Sequence, residues 1–149
     1  MLTIKRLSFD EGQIMLRAAE EKSREVGVAM CIAVTDECGN LIGFSRQDGG
    51  KVSSISIAID KAFTAAAARN PTEHYNKLCQ PGNPTFGIHV TNQGHFCIIG
   101  GGLPVIVDGQ VVGGIGVSSG TPVQDIAVAQ AGVDAVIAQI GKEIGKTKG

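Results

Sequence analysis

Three histidines, His74, His89 and His95, are the side chains of this 149-residue sequence whose chemistry suits a metal-centred cofactor. A neutral imidazole can ligate haem iron, and His89 and His95 flank the turn Thr91-Asn92-Gln93-Gly94, where a ring could enter an apolar, glycine-lined cleft. The CxxCH attachment motif is absent, so a haem would be held non-covalently. Against this stands the plainer reading of each one as an exposed loop histidine. No spacing resembles a zinc ligand set, and no metal site is expected.

A second kind of chemistry is offered by Arg46-Gln47-Asp48-Gly49-Gly50, which sets a cation and a carboxylate beside flexible backbone at the end of a strand-like run. A third lies in the stretch from Gly100 to Gly120, GGGLPVIVDGQVVGGIGVSSG. Its Asp108-Gly109 pair separates two apolar runs and tolerates the positive φ angles of a two-residue hairpin turn. Alternation then puts Ile115 and Val117 on one face of the second strand and Gly114, Gly116 and Ser118 on the other. A face so bare marks the close approach of a helix, a partner backbone or a ligand. Close packing is the reading for most of these glycines, with Gly114 and Gly116 as candidate cleft lining. Gly101 and Gly102, within Gly100–Gly102, and the run Ser118-Ser119-Gly120 can present backbone amides to an anion. Neither matches a nucleotide-binding motif, and Ser118 sits in no visible triad.

The elements that must position these groups are legible in order. Ser8-Phe9-Asp10-Glu11 is a capping box, followed by helical spacing at Ile14, Met15, Ala18 and Ala19 and by Gly27 after the helix end. Val28 to Thr35 reads as a central strand, the turn Asp36 to Asn40 reverses the chain, and Leu41 to Gln47 returns as its partner. Ser53 or Ser54 caps a helix bearing Ile55, Ile59, Ala62, Phe63 and Ala66, which Asn70-Pro71 stops. Thr72-Glu73 starts a short helical turn, Cys79 to Gly87 is a loop, and Phe96 to Ile99 is expected to be a short strand. Thr121-Pro122-Val123-Gln124 opens the last helix, with an apolar stripe through Ile140, and the tail GKEIGKTKG is expected to fray. The order is α-β-β-α-(α)-β-β-β-α. It implies an α+β fold, a roughly five-stranded antiparallel sheet with helices packed on it.

Composition bounds the function. With 43% hydrophobic residues and no linker, residues 1–149 read as a single domain. A formal charge of -1 gives no reason to expect nucleic acid or an anionic membrane surface as partner. No secretory signal is present and no run approaches the roughly twenty apolar residues of a membrane span, so the chain reads as cytoplasmic. Cys31, Cys38, Cys79 and Cys97 show no paired spacing and read as reduced thiols. Twenty-one glycines and no Trp imply a thin core that a large oligomeric interface would help stabilise.

Several segments in order, Cys31 to Asp36, GNLIGFSRQDGG, IAIDKAFTAA, GGGLPV and GQVVGGIGVSSG followed by QDIAVAQAG, resemble the GlcG/HbpS family over roughly Ser8 to Ile140. The resemblance implies a profilin-like α+β fold and homo-oligomers, from dimers to octamers. The family includes haem-binding proteins, the C-terminal domain of some cobalamin adenosyltransferases, and small proteins encoded beside glycolate, glycerol and diol utilisation genes. Arg46, Asp48 and Lys61 match its charged R-x-D-G and K-A-x-T-A positions. Brought together beside the glycine strand, they would suit a small carboxylate or phosphate ligand; the alternative is a structural ion pair or an intersubunit contact. Three functions follow as expectations. The first is an oligomeric ligand-binding accessory protein of glycolate, glycerol or diol catabolism that takes haem or another tetrapyrrole. The second is an enzyme on a small oxygenated acid or aldehyde, with Lys61 or Asp48 as base and Arg46 holding the anion. The third is a structural oligomerisation domain.

Overall fold

The computed structural model describes residues 1–147, with side chains described through residue 143. Four helices and four strands run in the order α1 (Phe9–Val26), β1 (Cys31–Asp36), β2 (Leu41–Arg46), α2 (Ser54–Ala68), α3 (Glu73–Leu78), β3 (Gly102–Val107), β4 (Gln110–Ser118) and α4 (Pro122–Thr147), with two short 3-10 turns, Ile88–Val90 and Asn92–Gly94, between α3 and β3. The strands form one antiparallel sheet in the order β2-β1-β4-β3.

Local chemistry accounts for most boundaries. Ser8 and Glu11 close the capping box reciprocally, and Gly27 ends α1 in the left-handed conformation. Asp108 and Gly109 both take positive φ, the geometry of the tight hairpin joining β3 to β4. Thr121 Oγ1 accepts from the Gln124 amide while Gln124 returns to the Thr121 N–H, so α4 also begins with a capping box. At α2 the expected serine cap is not made. Ser53 has no capping hydrogen bond, and the Ser54 hydroxyl instead meets Ser118 across the layer. The expectation that the tail frays concerns residues that lie in part outside those described; α4 itself runs to Thr147, past Ile140.

The sheet has two unlike faces. Ile32, Val34, Ile115 and Val117 point to one side, where α1 and α4 cover them with Met15, Leu16, Ala19, Val128, Ala129 and Val136. Cys31, Ala33, Thr35, Gly114, Gly116 and Ser118 point to the other, where α2 lies across β4, β1 and β3. That second layer is thin because Ala58, Ala62 and Ala66 face bare glycine. Helix and sheet backbones therefore approach closely.

The sheet has four strands, not five. Phe96 to Ile99 is irregular, because threonine side chains satisfy the polar groups around it in place of a ladder. The Thr64 hydroxyl donates to His95 O and accepts from Cys97 N, and the Thr72 hydroxyl donates to Ile99 O and accepts from Gly102 N. Thr64 on α2 and Thr72, the residue before α3, thus pin the approach to β3, and no strand partner is needed.

Candidate functional site

Among the described residues Lys61 and Asp125 are the charged groups drawn furthest inside, 1% and 2% exposed. The ammonium donates to Val117 O at 2.7 Å and to Asp125 Oδ2 at 2.9 Å, while Asp125 Oδ1 accepts the Gly120 N–H at 2.9 Å. This joins α2, β4 and the start of α4. The Ser118-Ser119-Gly120 run therefore does offer an amide to an anion, but the anion is the protein's own carboxylate. Helix-dipole placement alone, the sequence-level account of Asp125, misses this buried partner 64 positions away.

The structure does not bring Lys61 to Arg46 and Asp48. Those two are exposed and line a groove of about 520 Å³, formed with Glu20, Ser23, Arg24 and the Gly27 to Ala29 connection, whereas Lys61 is buried. Gln47 holds the groove wall, accepting from Met30 N and Ser23 Oγ and donating to Glu20 O. Two arginines and two acidic residues are among those that line the groove, and no lysine is.

The glycines are likewise relocated. A Cβ on Gly116 would lie 2.1 Å from Ala58 O and 2.4 Å from Ala62 N, and one on Gly114 would lie 2.7 Å from Ala62 O. Gly114 and Gly116 thus seat α2 and do not line a cleft. Gly101 and Gly102 are closed in the same way, against Val117 O and Lys61 Nζ and against Lys61 O respectively.

All three histidines sit at the surface on the excursion between α2 and β3. His95 Nδ1 is 2.7 Å from Asp60 Oδ1 on α2 and its side chain is 58% exposed. His89 Nδ1 is 3.0 Å from the buried Cys79 Sγ. The His74 ring packs edge-on against Tyr75, which in turn meets Phe96 edge-on. Among the described residues none of the three Nε2 atoms makes a hydrogen bond. Phe86, Val90 and Ile99 are exposed apolar side chains of the same excursion. Asp60 and Thr64, which sequence reasoning did not single out, are what fix His95; the only signal was their one-turn spacing on a helix whose other side is apolar.

A further polar cluster closes the β1–β2 turn. Asp36, Glu37 and Cys38 hold potential ligand atoms within 4.8 Å of one another. The Arg6 guanidinium grips both Glu37 oxygens at 2.7 Å, and Asp36 Oδ1 accepts the N–H groups of Cys38 and Asn40. The hydrogen bond and charge of Arg6 lower the Glu37 carboxyl to about 2, and Glu37 in turn raises the Cys38 thiol by accepting its hydrogen bond. Burial raises the thiols of Cys31 and Cys97.

A family model described as haem degrading protein HbpS-like matches residues 7–134. The chain belongs to the HbpS-like family. Its relatives include a 15.0 kDa protein encoded in the dhaT-dhaS intergenic region of Citrobacter freundii, 40% identical over 120 residues that cover 80% of this chain and 84% of that one. Protein GlcG of Escherichia coli K12 is 34% identical over 112 residues, covering 75% of this chain and 81% of GlcG. Among solved structures, Klebsiella pneumoniae ORFY superposes with a TM-score of 0.91 at 37% identity, covering 93% of this chain and 95% of ORFY. A PduOC:haem complex superposes with a TM-score of 0.84 at 31% identity, covering 87% of this HbpS-like chain and 94% of PduOC. No helix among the described residues of this family member is long and apolar enough to cross a membrane.

Proposed function

We propose that this HbpS-like protein binds haem non-covalently, as a cytoplasmic, homo-oligomeric accessory protein of small-alcohol or hydroxy-acid catabolism. The observation that carries the reading is the superposition, at 31% identity, on a protein whose structure is a haem complex. The chain's own residues fit such a guest. Three surface imidazoles keep an Nε2 that is unbonded among the described residues, and Phe86, Val90 and Ile99 offer apolar surface on the same excursion to a flat macrocycle. Haem would supply a redox-active iron; the protein would supply a histidine ligand and apolar contact. The gene-neighbourhood relative and GlcG support the metabolic setting.

Titrating the purified protein with haemin tests this. A saturating, sharpened Soret band is expected, lost when His74, His89 and His95 are replaced together by Ala. A flat response in the wild-type protein would overturn the reading. A second reading, capture of a small carboxylate, is favoured by the groove between Arg24 and Arg46. Calorimetry with glycolate should then show binding that Arg46→Ala removes, and absence of heat in the wild type refutes it. Base catalysis by Lys61 has no support, since its ammonium is enclosed and already bonded.

A further inference from the structure

We infer that His95 is the residue that ligates the iron and that Asp60 is its positioning partner; this rests on the haem reading above. An ionised carboxylate can only accept, so in the neutral ring the 2.7 Å contact with Asp60 Oδ1 places the imidazole proton on Nδ1 and leaves the lone pair on Nε2, which has no partner among the described residues. The other two histidines lack this arrangement. A thiol can donate or accept, so Cys79 leaves His89 in either tautomer, and the His74 side chain makes no hydrogen bond with any described residue.

The main chain is held as firmly as the ring. Thr64, one helical turn beyond Asp60, donates to His95 O at 3.2 Å and accepts Cys97 N at 2.8 Å, so the same face of α2 anchors both the backbone and the imidazole. A ligand fixed in orientation and tautomer before metal arrives loses little freedom on binding. The carboxylate would also make it a stronger donor, because a hydrogen bond to the far ring nitrogen would push electron density toward a bound iron and favour its ferric state.

Two sets of measurements test this. In the haem-free protein, long-range proton–nitrogen NMR with the ring neutral should show His95 as the Nδ1–H tautomer, and Asp60→Asn should shift it toward a mixture. In the haem-loaded protein, His95→Ala should weaken haemin binding at least tenfold, and His95→Gly should recover the Soret band on adding imidazole. Asp60→Asn should lower the iron–histidine stretching frequency of the ferrous form and raise the reduction potential, with Asp60→Glu restoring both. A His95→Ala protein that binds haemin with the wild-type spectrum overturns the assignment while haem binding stands. An Asp60→Asn protein with unchanged stretch and potential removes Asp60 from the account. Failure of the wild-type protein to bind haemin overturns both, and is distinguished by its occurring before any substitution.

Discussion

Lys61 heads the fully buried side chains by size, and it is charged. Burying an ammonium is tolerable here because Val117 O and Asp125 Oδ2 surround it, and because the remaining Asp125 oxygen is also bonded. Removing one partner strands the other charge, so Lys61→Met should lose about 3–5 kcal/mol of stability in chemical denaturation, while Lys61→Met with Asp125→Leu should recover much of it. A Lys61→Met protein as stable as wild type would show that the pair carries nothing. Glu37 is perturbed in a different setting, at the surface under Arg6. Its folded-state pKa lies below the ordinary value of 4.5, at about 2, so its contribution is complete above pH ~4.5 and is lost as pH falls toward 2. Thermal melts of wild type and Glu37→Gln should therefore differ most near neutrality and converge as pH drops through that window. A gap that stays constant from pH 6 to 2 would contradict the assigned cause. Neither pairing is visible in sequence, since Arg6 and Glu37 are 31 positions apart and Lys61 and Asp125 are 64 apart.

The hairpin of β3 and β4 and the helix α2 are one unit at the scale of elements. Two-residue periodicity correctly separates Ile115 and Val117 from Gly114 and Gly116; the Asp108-Gly109 turn joins the two strands, and an irregularity between Val105 and Ile106 then shifts the register so that Gly114 meets Pro104 and Gly116 meets Gly102. What periodicity leaves open is the occupant of the bare side. The occupant is the backbone of α2, close enough that any Cβ on Gly116 must displace it. Gly116→Ala should accordingly cost about 3 kcal/mol, measured by urea unfolding, because a helix cannot yield as a flexible side chain can. A neutral substitution there would mean that α2 is loosely seated. The same element scale explains the missing fifth strand: Phe96 to Ile99 has strand-like residues, but Thr64 and Thr72 meet the neighbouring polar groups before a ladder can.

For the whole molecule, two layers of unequal thickness share one sheet. The α1/α4 side carries the larger aliphatic core, and the α2 side is alanine against glycine. Among the described residues no buried side-chain nitrogen or oxygen lacks a partner, so the interior is complete. On the outside, Phe86, Val90, Ile106 and Val123 are each at least half exposed, apolar surface on which the proposed assembly would draw. Sedimentation equilibrium should give a mass that is a multiple of the 15.4 kDa protomer, and a monomer at micromolar concentration would contradict the proposed assembly. Local sequence determined the kinds and order of nearly all elements, both clear helix caps, the tight hairpin and the family, because each rests on residues a few positions apart. Only the tertiary structure decided that Lys61 meets Asp125 and not Arg46, that α2 seals Gly114 and Gly116, and that Asp60 orients His95. Those outcomes depend on how a helix crosses a sheet, and the crossing is set by the packing of distant side chains and not by any short repeat.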